Sequence, residues 1–106
     1  MQEITRGIPA SAGVYEGNAR VILSSAELPN LQEGDVLVVR ASNPAWTVGM
    51  FRSGAIVAEL GGPICHAAIV AREIGVPAVV AVPDAVNLIA SGQRIRVDGT
   101  TGIIYS

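Results

Sequence analysis

The chain has 106 residues, of which half are hydrophobic and 15% are charged, with a formal net charge of −2 and a single cysteine. This length and hydrophobic content predict one compact domain over residues 1–106 and exclude an intrinsically disordered chain. The seven basic residues are scattered and aromatic residues are few, which argues against a nucleic-acid-binding surface.

The composition also bears on where the protein resides. No apolar segment reaches the roughly 18 residues that a membrane-spanning helix needs, and residues 1–6 do not resemble a secretion signal. A single cysteine cannot form an internal disulfide, which fits a reducing compartment. We therefore expect a cytoplasmic protein without a membrane partner, and the sequence leaves its oligomeric state open, homo-oligomers included.

The first third of the chain predicts short strands. Glycines punctuate the opening segment, which ends in a predicted strand from Ala19 to Leu23, so we expect a meander or hairpin there. A loop or short helix follows over residues 24–34. The consecutive apolar residues between Asp35 and Arg40 are typical of a strand that is buried on both faces.

A short helix is predicted from Ala45 to Arg52. Asn43 is a good N-cap residue, and Pro44 suits the first helical position because its missing N–H does no harm there. We expect Trp46 to pack in the core. The predicted apolar face consists of Trp46, Met50 and Phe51.

A strand, a loop and a second helix follow in the middle of the chain. Gly54 to Glu59 reads as a strand, and it leads into the glycine pair at 61–62. Pro63 is typical of a helix start and Gly75 of a helix end. The only histidine of the protein, His66, therefore lies at the N-terminus of this helix.

The last third predicts a strand, a short helix and a hairpin. The strand covers Ala78 to Val82, the helix runs from Pro83 to Ile89, and the hairpin joins Gln93–Asp98 to residues 103–105 through a turn at 99–102. Strands that alternate with helices favour parallel crossovers. In such sheets, ligand sites form at the carboxyl ends of the strands.

The position of His66 points to phosphate chemistry. The first turn of a helix has N–H groups without internal partners and carries partial positive charge, so it binds anions and disfavours a cationic imidazole. A neutral imidazole nitrogen beside a phosphate site can accept a phosphoryl group covalently. A lone histidine on an apolar helix is also often a hydrogen-bonded structural residue, and position alone leaves both interpretations open.

Residues 61–80 resemble the phosphohistidine signature of the phosphoenolpyruvate (PEP)-utilising enzymes, such as PEP synthase, pyruvate phosphate dikinase and enzyme I. In that family, threonine usually stands two residues before the histidine, where this chain has Ile64. The resemblance therefore does not extend regulation through that threonine to this protein. Further matches occur near both ends of the chain, at Ser11, Gly13, Gly17, Asp98, Gly99 and Gly102. Within the signature, the matching residues are Gly61, Gly62, Cys65, His66, Ala67, Ala68, Ile69, Val70, Ala71, Arg72, Gly75, Val76, Pro77, Ala78, Val79 and Val80.

The resemblance implies a mobile, swivelling α/β domain with three layers in the order β/β/α. These layers would comprise a largely parallel central sheet, a smaller antiparallel sheet and short helices. It also implies a phosphoryl carrier in which the Nε2 atom of His66 is transiently phosphorylated and passes the group to pyruvate or another acceptor. The candidate phosphate-binding residues are Gly61, Gly62, Cys65 and Ala67.

Two further residues are candidates for supporting the site. Glu59 would orient His66 or contact a partner, although a solvated loop carboxylate is the simpler interpretation. Arg72 would pair with phosphate, although a structural ion pair is the simpler interpretation there. Residues 67–71 are apolar on every side of the helix, so some of the three alanines must be covered by a second layer of the fold or by a partner.

The sequence contains no phosphate-binding GxxxxGK(S/T) loop and no carboxylate cluster for magnesium. We therefore expect no cofactor or metal on this chain, and Mg²⁺ only in partner domains. The expected partners are separate ATP-grasp nucleotide-binding and PEP- or pyruvate-binding barrel proteins. The chain would be the phosphotransferase component of a multi-chain system and would be inactive alone.

Two alternative functions remain open at this point. The first is a non-catalytic binding or regulatory module that keeps the swivelling fold, an interpretation that Ile64 favours. The second is a thiol enzyme that uses Cys65, because helix N-termini favour the thiolate form of cysteine. Adjacent residues seldom form a catalytic cysteine–histidine pair, which counts against the thiol enzyme.

Overall fold

The computed structural model describes all 106 residues. The α-helices are α1 Thr47–Met50, α2 His66–Ile74 and α3 Ala85–Leu88, and two 3₁₀ segments cover Ser25–Asn30 and Pro44–Trp46. The strands are β1 Glu3–Arg6, β2 Ile8–Ser11, β3 Val14–Ile22, β4 Val36–Val39, β5 Ala55–Ala58, β6 Ala78–Val80, β7 Arg94–Asp98 and β8 Ile103–Tyr105. Every strand and helix predicted from residue 19 onward is present, with boundaries shifted by a few residues.

The strands follow the order β1-β8-β7-β3-β4-β5-β6-β2, and β3 to β6 run parallel to one another. The long strand β3 joins two sheets: Val14–Asn18 pairs antiparallel with β7, and Ala19–Ile22 pairs parallel with β4. The predicted combination of a largely parallel sheet with a smaller antiparallel one is therefore confirmed.

The prediction of a meander or hairpin in the opening segment is wrong. β1 pairs with β8 and β2 pairs with β6, so neither strand pairs with its neighbour in sequence. The chain passes from one sheet to the other at Gly7, whose N–H donates to the carbonyl of Gly102. The glycines of this segment indicate where its strands end, but the pairing of each strand depends on residues far away in the chain.

Two hydrophobic clusters lie between the three layers, one on each face of the parallel sheet. In β4, Leu37 and Val39 face the cluster that contains α2, whereas Val36 and Val38 face the cluster that contains Ile95 of β7. All four side chains are fully buried. This strand of consecutive apolar residues thus has α1 and α2 on one side and the antiparallel sheet together with α3 on the other, so it is buried on both faces as its sequence predicts.

The helix that follows β4 is shorter than predicted. The Asn43 side chain accepts a hydrogen bond from the Ala45 N–H at 2.9 Å, which confirms the N-cap. Trp46 and Met50 are buried in the core as expected. Phe51 is 55% exposed, so its expected place on the apolar face is wrong. The helix ends at Met50, and Phe51 lies in the turn beyond it.

The main helix, α2, packs tightly on the parallel sheet. Its Ala67, Ala68, Val70 and Ala71 are all buried, and they share a cluster with β4, β5 and β6. The covering layer of the three alanines is therefore this fold itself. Gly75 ends the helix with a φ of +78°, a left-handed conformation that favours glycine.

Candidate functional site

The site lies where β4 and β5 end and α2 begins. Ser42 follows β4 by three residues, Gly61 follows β5 by three residues, and His66 is the first residue of α2. The carboxyl ends of these two parallel strands meet at one edge of the sheet, as the strand and helix order predicts. His66 is half-buried at this edge.

Two hydroxyl groups hold the His66 ring. The Oγ of Ser42 lies 2.7 Å from Nδ1, and the Oγ1 of Thr47 lies 2.9 Å from Nε2. A neutral imidazole has one N–H donor and one acceptor nitrogen, whereas each hydroxyl can both donate and accept. Both ring nitrogens are therefore satisfied in either tautomer, and the plane of the ring is fixed at two points.

Sequence reasoning missed Ser42 and Thr47. They flank the Asn43-Pro44 helix start, 24 and 19 residues before His66. The only available signal was their place beyond the predicted strand Asp35–Arg40, since residues after neighbouring parallel strands converge at one edge of the sheet. That signal places both residues near the histidine but does not indicate contact with its ring nitrogens.

A small pocket of about 90 Å³ opens beside the ring. It contains Ser42, the partner of Nδ1, but not Thr47, the partner of Nε2. The pocket brings together four of the predicted site residues, His66 among them. It is lined by Ala41, Ser42, Leu60, Gly61, Cys65, His66 and Ala67.

The N-terminus of α2 supplies free hydrogen-bond donors. Ile69 N–H donates to the Cys65 carbonyl, and this is the first bond of the helix. The N–H groups of His66, Ala67 and Ala68 precede it and have no acceptor in the structure. By contrast, the Cys65 N–H donates to the Gly62 carbonyl at 3.1 Å. The Ala67 N–H is therefore a free donor, whereas the Cys65 N–H is not, and both residues line the pocket.

The backbone conformation requires glycine at position 61, whereas a side chain would fit at position 62. Gly61 has a φ of +118°, and a Cβ there would lie 2.7 Å from the Cys65 Sγ, so the loop conformation itself requires glycine. At Gly62, a Cβ would meet no atom within 4 Å. The surface at Gly62 is therefore open to another molecule.

The two candidate support residues stabilise the frame of the site and do not contact the ring. The Glu59 carboxylate accepts a hydrogen bond from the Val86 N–H at 3.2 Å and pairs with Arg40 at 3.4 Å. The Arg72 guanidinium donates to the carbonyls of Pro63 and Ala68. Arg72 thus links the glycine loop, residues 61–65, to α2. The prediction of a structural ion pair for Arg72 is wrong.

Apolar side chains in solvent border the site. Ile64, two residues before His66, is 84% exposed, and Val48, next to Thr47, is 83% exposed.

No group of three or more His, Cys, Asp or Glu side chains is placed to bind a metal ion. None of the helices is long and apolar enough to cross a membrane.

Comparison with known proteins gives a consistent result. A family model described as "PEP-utilising enzyme, mobile domain" matches residues 31–102. The chain is 50% identical over 98 residues to a rifampicin phosphotransferase from Bacillus cereus, which covers 92% of this chain and 11% of that protein. It is 43% identical over 102 residues to a probable phosphoenolpyruvate synthase from Archaeoglobus fulgidus, which covers 96% of this chain and 14% of that protein.

A solved structure agrees. The NMR structure of an enzyme I protein (nEIt) superimposes with a TM-score of 0.65 at 31% sequence identity, over 74% of this chain and 32% of that chain. This likeness supports the three-layer arrangement at the level of the fold. The chain spans only 11% and 14% of the two curated relatives described above.

Proposed function

Because this chain belongs to the mobile-domain family of the PEP-utilising enzymes, we propose that it is a phosphoryl carrier in which His66 is transiently phosphorylated. The observation that carries the proposal is the ring of His66, held by Ser42 and Thr47 at a pocket beside the unpaired N–H groups of α2. These N–H groups would bind the negative charge that a phosphoryl group brings.

In the proposed reaction, the lone pair of Nε2 attacks the phosphorus of the donor. A nitrogen–phosphorus bond forms while the phosphorus–oxygen bond to the leaving nucleotide or enolpyruvate breaks. In the return step, an oxygen of the acceptor attacks phosphorus, and the electron pair of the broken bond goes back to Nε2. Because Thr47 occupies Nε2 at 2.9 Å, its hydroxyl must give up that nitrogen before the attack.

The other residues around the ring would bind the phosphoryl group, admit the donor and stabilise the loop. The N–H groups of His66 and Ala67 would hold the transferred phosphoryl group, and the open surface at Gly62 would let the donor approach. Arg72 would keep the loop in place through its bonds to Pro63 and Ala68. Cys65 would contribute to the pocket wall and, in this proposal, would take no part in the chemistry.

The donor and acceptor sites would be supplied by partner domains. The matched segment is a small part of much longer relatives, which supports a division of labour between this domain and others. We propose that an ATP-grasp domain or a PEP-binding barrel provides the donor site together with Mg²⁺. The names of the two relatives suggest two acceptors to test, pyruvate and rifampicin. A cytoplasmic location stays a prediction.

A non-catalytic binding module is the competing function. The observation that favours it is Ile64, a highly exposed apolar residue at the position where the family usually has threonine. An apolar side chain beside His66 would support contact with a protein surface without any phosphoryl transfer. The test below separates the two functions because a binding module cannot restore turnover.

The test is reconstitution in trans. The segment that matches this chain would be deleted from the B. cereus rifampicin phosphotransferase and from the A. fulgidus phosphoenolpyruvate synthase, and the full chain would be added to each remnant. We expect wild-type chain, but not His66→Ala, to restore transfer to at least one acceptor. If the excised native segments restore activity and this chain restores none, the carrier function is wrong and the binding module is favoured.

A further inference from the structure

We infer that Arg40 binds a negatively charged group of the phosphoryl donor, a second group beside the one that is transferred to His66. The transfer itself rests on the proposed function. The binding of an anion at Arg40 is a property of the unphosphorylated chain, so it can be measured without a partner domain.

Arg40 is the one basic residue whose side chain donates no hydrogen bond. The chain has seven basic residues, and all are arginines. The guanidinium groups of the other six each donate to a carboxylate or to a backbone carbonyl. Arg40 has only an ionic contact, in which its Nε lies 3.4 Å from the Oε2 of Glu59, and its side chain is 60% exposed. An exposed ion pair of this kind is weak, so the donors of Arg40 are available to a ligand.

Arg40 and Glu59 lie at the edge of the sheet that carries the site. Arg40 directly follows β4, and Glu59 directly follows β5. The next residue on each side, Ala41 or Leu60, lines the pocket beside His66. The Leu60 N–H donates to the Arg40 carbonyl at 2.9 Å, which joins the two strand ends. The ion pair is therefore one residue away from the pocket wall on both strands.

The Arg40 side chain lies on the face of the sheet opposite to α2. The last residues of β4 and β5 belong to the cluster that contains α2, and successive side chains of a strand alternate between the two faces. Glu59 accordingly accepts a hydrogen bond from the Val86 N–H of α3, and it holds Arg40 on that side. A donor bound at His66 would therefore meet Arg40 with a group other than the transferred one.

The donors of the proposed function carry such a second group. After the transfer, a nucleotide keeps a phosphate and enolpyruvate keeps a carboxylate, and a guanidinium binds either oxyanion through paired N–H donors. The other arginine of the site, Arg72, already donates to the carbonyls of Pro63 and Ala68. Arg40 is thus the cation at this edge that is free to bind the donor.

NMR titrations of the full-length, ¹⁵N-labelled chain at constant ionic strength test the inference. The probes are inorganic phosphate, which has one anionic group, pyrophosphate, which has two phosphates, and phosphonoacetate, which joins a phosphonate to a carboxylate. We expect both two-group probes to bind about three- to tenfold more tightly than phosphate and to shift the Nε–H signal of Arg40. The tighter of the two indicates whether the second group of the donor is a phosphate or a carboxylate.

Three variants assign the difference in affinity to Arg40. Arg40→Gln should bind the two-group probes no more tightly than phosphate. Arg6→Gln removes the same charge from an ion pair in β1 and is the matched control, so it should keep the wild-type ratio of affinities. Glu59→Gln keeps an acceptor for the Val86 N–H but loses the charge that holds Arg40, so it should bind the two-group probes about two- to fivefold more tightly. Unchanged backbone amide spectra would show that the variants are folded.

Three results would overturn the inference: a wild type that binds all three probes alike, an Arg40→Gln variant with the wild-type ratio, or a Glu59→Gln variant with weakened binding of the two-group probes. None of them depends on transfer to His66. If the ratio depends on Arg40 and no donor phosphorylates the protein, the carrier function fails while the anion site at Arg40 stands. If His66 is phosphorylated and the ratio does not depend on Arg40, the reverse holds.

Discussion

The hydroxyl oxygen of Thr47 lies 2.9 Å from Nε2 of His66, although Thr47 begins a helix that precedes β5 in the chain and His66 begins one that follows it. Only the folded sheet brings them together. Thr47 thus fixes the nitrogen that the carrier function would use, and the stability of this contact determines how the ring meets a donor.

Removing the Thr47 hydroxyl should speed phosphorylation of His66, because that hydroxyl occupies the nitrogen that attacks the donor. Thr47→Val keeps the shape of the side chain but removes the hydrogen bond that Nε2 must lose, so we expect the initial rate of phosphohistidine formation to rise by about two- to tenfold. Thr5→Val, in the edge strand β1, is the matched control and should leave the rate unchanged. A Thr47→Val rate equal to or below that of the wild type would show that the contact does not restrain Nε2.

Arg72→Ala should loosen the glycine loop. The guanidinium of Arg72 bridges the carbonyls of Pro63 and Ala68, so its loss frees the loop from α2. Hydrogen–deuterium exchange of peptides covering residues 61–68 should become faster, while peptides from β4 and β5 exchange as before. Arg72→Lys should not restore protection fully, because an ammonium lacks the planar fork of donors. Wild-type exchange in the Arg72→Ala loop would contradict this role.

Gly54→Ala should destabilise the fold. A Cβ at Gly54 would collide with the ring of Tyr15, whose hydroxyl donates to the Gly34 carbonyl at 2.6 Å and therefore cannot move away freely. We expect a loss of about 1–3 kcal/mol in the free energy of unfolding, measured by urea denaturation. Gly62→Ala is the control, since a Cβ there meets nothing within 4 Å. Equal urea midpoints for the two variants would contradict the packing around Tyr15.

Asp98 should make stability depend on pH in the acid range. Hydrogen bonds from the backbone N–H groups of Thr101 and Thr100 lower the pKa of the Asp98 carboxyl below its ordinary value. A carboxyl whose pKa is lower in the folded state stabilises the fold above its unfolded pKa of about 3.9. That contribution is lost as the pH falls through the folded pKa.

The comparison of wild type with Asp98→Asn measures this contribution. The amide oxygen can still accept from the turn but carries no charge, so the wild type should have the higher urea midpoint at pH 7. The difference should shrink below about pH 4. A difference that is constant from pH 7 to the acid range would mean that the charge of Asp98 does not stabilise the turn.

The sequence predicted those features that local physical chemistry determines. Pro63 and Gly75 bracketed α2, and the consecutive apolar residues of β4 predicted a strand covered on both faces. The resemblance around His66 predicted the family and the three layers. For α2 and β4, the information lies in residues within or beside the element itself, whereas the family and the three layers were predicted from the resemblance and not from local physical chemistry.

What the sequence did not predict depends on contacts between distant residues. The opening strands pair with β8 and β6, more than 65 residues away, which no local pattern encodes. The partners of the His66 ring, Ser42 and Thr47, likewise come from another element. Arg72 bonds to backbone carbonyls, and every residue has a carbonyl, so composition could not distinguish this role from an ion pair.

The measurement that tests the carrier function most directly is the intact mass of the protein at alkaline pH, where phosphohistidine survives. Wild type and His66→Ala would each be incubated with ATP or PEP in extract from the source cells. We predict one added phosphoryl group on the wild type, lost on mild acid treatment and absent from His66→Ala. An added phosphoryl group that persists in His66→Ala would contradict the assignment of His66 as the phosphoryl-accepting residue.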